Sequence, residues 1–134
     1  MNKRLSIVMV LIVTSCAANN APVVPDVDDI KVQKEAEYAR KLELILLKDA
    51  TEDARSAVRA GFPQLLTYYR GRSDSLYIPG LSAVQQTRAK DKCETKAPES
   101  MGDVIYGGNH LKYRQALSNY TVQYNRVIAG YCLR

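Results

Sequence analysis

Tryptophan is missing from the sequence, phenylalanine and histidine occur once each, and nine tyrosines supply nearly all the aromatic bulk. A single histidine excludes metal sites built on paired imidazoles and confines any histidine acid–base chemistry to one ring. No phosphate-cradling glycine loop, zinc-protease helix motif or serine elbow is present, and no Cys-x-x-Cys spacing occurs. No apolar run approaches the roughly 20 residues that a membrane-spanning helix needs. Neither sign of charge dominates: 19 basic against 14 acidic residues give +5, too mild to argue for nucleic acid. The 134 residues allow one domain, and no cofactor or metal is expected from their pattern.

What is present begins at the N-terminus. Lys3 and Arg4 precede an apolar run from Leu5 to Val13 interrupted only by Ser6, and small residues follow. That is the layout of a secretory signal, too short to span a bilayer. Val13-Thr14-Ser15-Cys16 then resembles the lipobox of bacterial lipoproteins, an aliphatic residue and two small ones ahead of an obligatory cysteine. The resemblance covers residues 1–16 alone. It implies diacylglyceryl transfer to the Cys16 thiol, cleavage before Cys16 and acylation of the new amine. Two or more acyl chains anchor a protein stably without spanning. Ala17 in place of Asp resembles the enteric pattern for transfer to the outer membrane, which implies a location there, facing the periplasm.

Signal removal leaves the charge unevenly spread. Residues 26–60 carry nine acids and seven bases, while residues 61–134 carry five acids and ten bases. The second half therefore suits anionic partners, or is simply a solvated basic surface.

The expected organisation is a signal at 1–15, a lipidated cysteine with a flexible tether at 16–29, and a helical domain at 30–134. Ala17–Asp29 holds two prolines, two asparagines and three aspartates, which disfavours helix and central strand. From Ile30 to Ala60, apolar residues recur every three or four positions, predicting one unbroken helix of about 45 Å, closed by Gly61 and Pro63. The LELILL run at 42–47 is apolar nearly all round and is expected to be covered from more than one side. A short helix from Pro63 to Tyr69, a connection with a Pro79-Gly80 turn, and a capped helix over 83–93 follow. Residues 95–108 read as loop with a brief strand at 104–106, and Asn109 reads as N-cap of the last helix. The fold class is thus all-α: a small bundle of two long and two shorter helices, disulfide-stapled behind the tether.

The staple is Cys93 with Cys132, the thiols that remain once Cys16 is lipidated. In an oxidising envelope a leftover pair most simply forms a disulfide. A redox pair or a metal site is the rival reading, without CxxC spacing or a His/Cys cluster to support it. Tyr113, Leu117, Tyr120, Tyr124, Val127, Ile128 and Tyr131 form one helix stripe, either core or a face for sugars and flat partners. Tyr68, Tyr69, Arg70 and Arg72 combine rings with cations beside a turn and are the candidate binding surface for anionic polymer or headgroups. His110 is expected to be solvated or hydrogen-bonded rather than catalytic, and Asp49, Glu52 and Asp53 to form a salt-bridged surface with Lys48 and Arg55.

The functional expectation is a membrane-anchored, non-enzymatic binding or accessory module: a component of an envelope assembly, or an exclusion or immunity factor. Its partners would be membrane lipid through Cys16 and an envelope protein or anionic envelope polymer. The alternative is a cell-wall-directed enzyme, or an inhibitor of a wall-degrading enzyme.

Overall fold

The computed structural model describes residues 24–69, 76–96 and 104–134. The expected signal and Cys16 lie outside them. Four helices carry the described part: α1 (Val27–Leu46), α2 (Ala50–Arg59), α3 (Ala83–Lys92) and α4 (Gly108–Cys132). The all-α class and the tally of two long and two shorter helices are as expected, although one short helix, α2, is cut from the expected first long one and none forms at 63–69. Four short strands join them: β1 (Gln64–Leu66), β2 (Tyr68–Tyr69), β3 (Leu76–Tyr77) and β4 (Glu94–Lys96).

The long helix expected over 30–60 starts earlier and is broken. α1 begins at Val27, with Asp28 and Asp29 in its first turn, where carboxylates suit the helix dipole. The break falls at Leu47–Asp49. The Asp49 side chain accepts the N–H groups of Thr51 at 2.9 Å and Glu52 at 3.0 Å, and so starts α2 as its N-cap. An aspartate that bonds its own downstream backbone competes with helix continuation, a force that apolar periodicity does not register. α2 ends as foreseen. Gly61 takes φ +82°, Phe62 N–H reaches Ala57 O at 3.0 Å and Gly61 N–H reaches Val58 O, the paired bonds of a Schellman cap.

α1 and α4 run side by side in the same direction. Glu35 meets Asn109, Tyr38 meets His110 and Tyr113, and Lys48 lies over Tyr120, so partners advance together along both helices. Beside the first half of α4 stands α1, and beside the second half stands α2. The first half of the molecule is thus a two-helix arm. This overturns the expected covering of LELILL: Ile45 alone is buried there, whereas Leu44, Leu46 and Leu47 are 63, 68 and 84% exposed. One facing helix shields one stripe, and among the described elements no third layer packs on the outer side of α1.

The second half is a head with the core. Ala54, Leu65, Ile78, Leu81, Ala89, Ile128 and Ala129 form one buried cluster between α2, α3, α4 and the strands. The helix expected at 63–69 is absent; β1 pairs in parallel with β4, and β2 pairs antiparallel with β3, Tyr68 opposite Tyr77. Asn125 of α4, fully buried, explains part of this change. Its Nδ2 donates to Leu66 O at 2.8 Å and Pro79 O at 3.0 Å, and its Oδ1 accepts Leu66 N–H at 2.8 Å. A side-chain amide from a distant helix thereby satisfies the extended backbone that β1 exposes, and a local proline signal cannot announce such a partner. The strand falls at 94–96, and residues 104–106 are irregular.

Three expected devices are in place. Ser82 Oγ accepts Gln85 N–H while Gln85 Oε1 accepts Ser82 N–H, a reciprocal box that starts α3. The Pro79-Gly80 turn packs directly on α4: Gly80 has φ +86°, and a Cβ there would sit 2.8 Å from Val122 O. The Cys93–Cys132 disulfide, with Cα atoms 5.5 Å apart, ties the end of α3 to the end of α4.

Candidate functional site

Two clusters of polar and aromatic side chains stand out, one at each end of the molecule. The first closes the free end of the arm. Tyr38 of α1 stacks on His110 of α4 with centroids 3.7 Å apart and planes 7° from parallel, and Tyr106 and Tyr113 flank the pair. His110 is 1% exposed. Its Nδ1 accepts Tyr106 N–H at 3.2 Å, which places the ring proton on Nε2, and that atom is buried without a partner among the described residues. Burial pushes the imidazole pKa below its ordinary value, Arg114 and Lys41 push the same way, and Glu35 opposes them. His110 is therefore a neutral packing residue, more deeply enclosed than the sequence indicated.

Glu35 is the second surprise of the arm. Its carboxylate accepts Asn109 N–H at 2.6 Å and His110 N–H at 3.4 Å, so α4 is capped by another helix and not by Asn109. Gly107 is the N-cap residue, and a Cβ there would lie 2.5 Å from Glu35 Oε2. Its role is to let the carboxylate approach. A depression of about 530 Å³ lies alongside, lined by Asp28, Lys31, Val32, Glu35, Tyr106 and Gly107. Because Glu35 is committed to two backbone donors, this depression does not offer a pair of free carboxylates.

The second cluster sits on the head beside the disulfide. α3 contributes Gln85 and Arg88, the preceding turn Leu81, the last turns of α4 Arg126, Ala129 and Gly130, and the two residues after α4 Leu133 and Arg134, around a groove of about 360 Å³. Leu81 and Ala129 form a buried apolar floor. Arg88 Nη2 donates to Leu133 O at 3.2 Å, which orients the guanidinium across the helix ends, and Arg134 lies 5.4 Å from the Tyr131 ring centroid. No carboxylate side chain lines the groove.

The tyrosine stripe of α4 lies mostly half-buried against α1 and α2, with Ile128 fully buried and Tyr131 46% exposed at its end. Tyr120 donates to Asp53 at 2.7 Å; burial and that bond push its pKa up, and burial does the same to Tyr124. The acidic surface of α2 is organised differently from expectation. Asp49 caps, Asp53 accepts from Tyr120, and Glu52 pairs with Arg59 rather than Arg55. Glu37, between Lys34 and Lys41 on the arm, has its carboxyl pKa lowered to about 2 by hydrogen bonds from both.

Of the expected aromatic and cationic rim, Tyr68 and Tyr69 provide the backbone of β2, while Arg70 and Arg72 fall outside the described residues. Among the described residues no group of three or more His, Cys, Asp or Glu side chains is placed to hold a metal ion, and no helix is long and apolar enough to cross a membrane. Comparison with protein-family models, curated proteins and solved structures finds no match for this chain.

The arginine groove is what sequence reading missed, and two signals pointed to it. Arg126 and Gly130 are spaced by four, hence on one face of α4, and Arg134 follows at the same spacing just past its end. Arg88 stands five residues before Cys93 and Arg126 six before Cys132, so a bridge between the two cysteines brings both arginines to one end of the fold.

Proposed function

We propose that the chain is an envelope lipoprotein, anchored at Cys16, that holds a disulfide-closed head away from its membrane as a non-enzymatic binding or accessory module. The observation that carries this reading is the placement of the two ends. Val27 lies eight residues ahead of Glu35, which meets the start of α4, so α1 begins about 12 Å beyond that start. Cys132 lies a further 24 residues along α4, and about 50 Å separate Val27 from the disulfide end. A lipid attached ahead of Val24 would sit at the arm end, and the head would face outward. Tethering would then confine the head to a shell where a nearby partner meets a high effective concentration. His110 is enclosed and Glu35 committed to backbone donors, which supports binding over hydrolytic chemistry.

Two measurements test the parts separately. Radioactive fatty-acid labelling in cells is expected to mark the wild type and not Cys16→Ser; labelling of the variant sinks the anchor. A photo-crosslinking residue is placed at exposed Val84 on the head or at exposed Val104 near the arm end. A discrete crosslinked partner is expected from the head position, and a partner captured only from the arm position overturns the outward-facing head.

A further inference from the structure

We infer that the groove between α3 and the last turns of α4 is a binding site for a phosphate group, held by the guanidiniums of Arg88, Arg126 and Arg134. Three arginines line a groove whose lining contains no carboxylate side chain, and Arg134, now against the Tyr131 ring, reaches the anion by a change of rotamer. The negative end of α4 offsets roughly half a charge and the main-chain carboxylate of Arg134 about one more, while the N-terminal end of α3, which supplies Gln85, contributes the opposite sign, so three guanidiniums still leave a positive excess. Arg88 is already oriented by Leu133 O and retains further N–H donors, since a guanidinium carries five in a fixed fork suited to oxyanions. The apolar floor of Leu81 and Ala129 keeps water from one side of the anion, which strengthens the charge-assisted bonds. Gly130 leaves the room: a Cβ built there meets nothing within 4 Å.

Phosphate is favoured over a lone carboxylate because its second charge and additional oxygens match three guanidiniums. The groove lies about 50 Å from Val27 along the arm, so the phosphate belongs to a soluble or glycan-borne ligand and not to the headgroups of the bilayer next to α1. That choice of source rests on the anchored reading above; the site itself does not.

The test uses the purified full chain in non-ionic detergent, with the Gly130 amide resonance followed by NMR. Pyrophosphate is expected to shift it saturably, and sodium chloride at matched ionic strength to leave it in place. Arg88→Gln and Arg126→Gln are each expected to weaken binding about tenfold or more. Gly130→Asp, followed through the Ala129 amide, would place a carboxylate in the groove and abolish binding, while Gly130→Ala keeps it. Both replacements improve helix propensity, so loss in the aspartate variant alone does not reflect misfolding. An unsaturable shift, or Arg88→Gln and Arg126→Gln binding as wild type, overturns the site. A phosphorylated polysaccharide is expected to reproduce the shift and phosphatidylglycerol added to the detergent micelle is not; the reverse result overturns the assigned source. Because every probe is added in solution, failure of fatty-acid labelling leaves the pyrophosphate result standing.

Discussion

Asn125 answers three backbone groups with one side chain, and replacing it isolates how much of the head depends on that amide. Asn125→Ala leaves Leu66 N–H, Leu66 O and Pro79 O without their partners. Unsatisfied buried groups cost about 1–3 kcal/mol each, partly recovered where the strand edge reaches water, so a loss of about 3 kcal/mol in urea unfolding is expected. Asn125→Asp is expected to be worse, because it turns the donor that faces two carbonyls into an acceptor. His110 gives a pH prediction with a definite sign. Its folded pKa lies below the ordinary value near 6.5, so the unfolded chain takes up the proton first as pH falls. Its contribution is complete above about pH 6.5 and is lost as pH drops from there toward the folded pKa. Protonation would also turn Nδ1 into a donor facing Tyr106 N–H. The melting temperature of wild type is therefore expected to fall between pH 7.5 and 5 by more than that of His110→Phe, which keeps the stack and cannot titrate. Equal slopes would show that this imidazole is not the group responsible.

At the scale of elements, the disulfide does for α3 what side-chain packing does for α2. α3 is a ten-residue helix whose single buried residue is Ala89, too small an apolar face to hold it alone. Closing a loop whose ends stand 39 positions apart is worth about 4 kcal/mol in the chain-entropy model. Cys93→Ser with Cys132→Ser is therefore expected to lower unfolding free energy by up to about that amount and to loosen α3 before α4, as read by amide exchange. The sequence disclosed the elements whose causes are local: the Ser82–Gln85 box, the Gly61 stop, the Gly80 turn, and the paired cysteines. It concealed those whose causes lie far along the chain. Leu66 is extended because Asn125 waits 59 residues away, and α4 starts where it does because Glu35 reaches it across 74 residues. The break at Asp49 was local and readable in principle, yet the apolar period running through it masked a capping aspartate. The arginine groove depended on two helix ends meeting, so it became visible only with the disulfide in place.

Across the whole molecule, burial is divided unequally. The buried cluster lies entirely in the head, whereas the arm rests on Ile45, the Tyr38–His110 stack and half-buried residues along one seam. Amide exchange is expected to be markedly faster in α1 from Val27 to Leu42 than in α4 from Thr121 to Ala129, because local opening is cheapest where few apolar contacts are lost. Equal protection would mean that the outer face of α1 is covered in solution.

The parallel course of α1 and α4 also decides how the molecule carries load. A pull between Val27 and Cys132 runs lengthwise along the shared seam. The Glu35 cap, the Tyr38 stack and the Asp53–Tyr120 bond are then strained together, in shear, instead of being peeled apart one after another. At the far end the force meets a covalent link, since Cys93–Cys132 fastens α3 to the last turn of α4. Built this way, the described part resists extension along its axis through contacts that share the load.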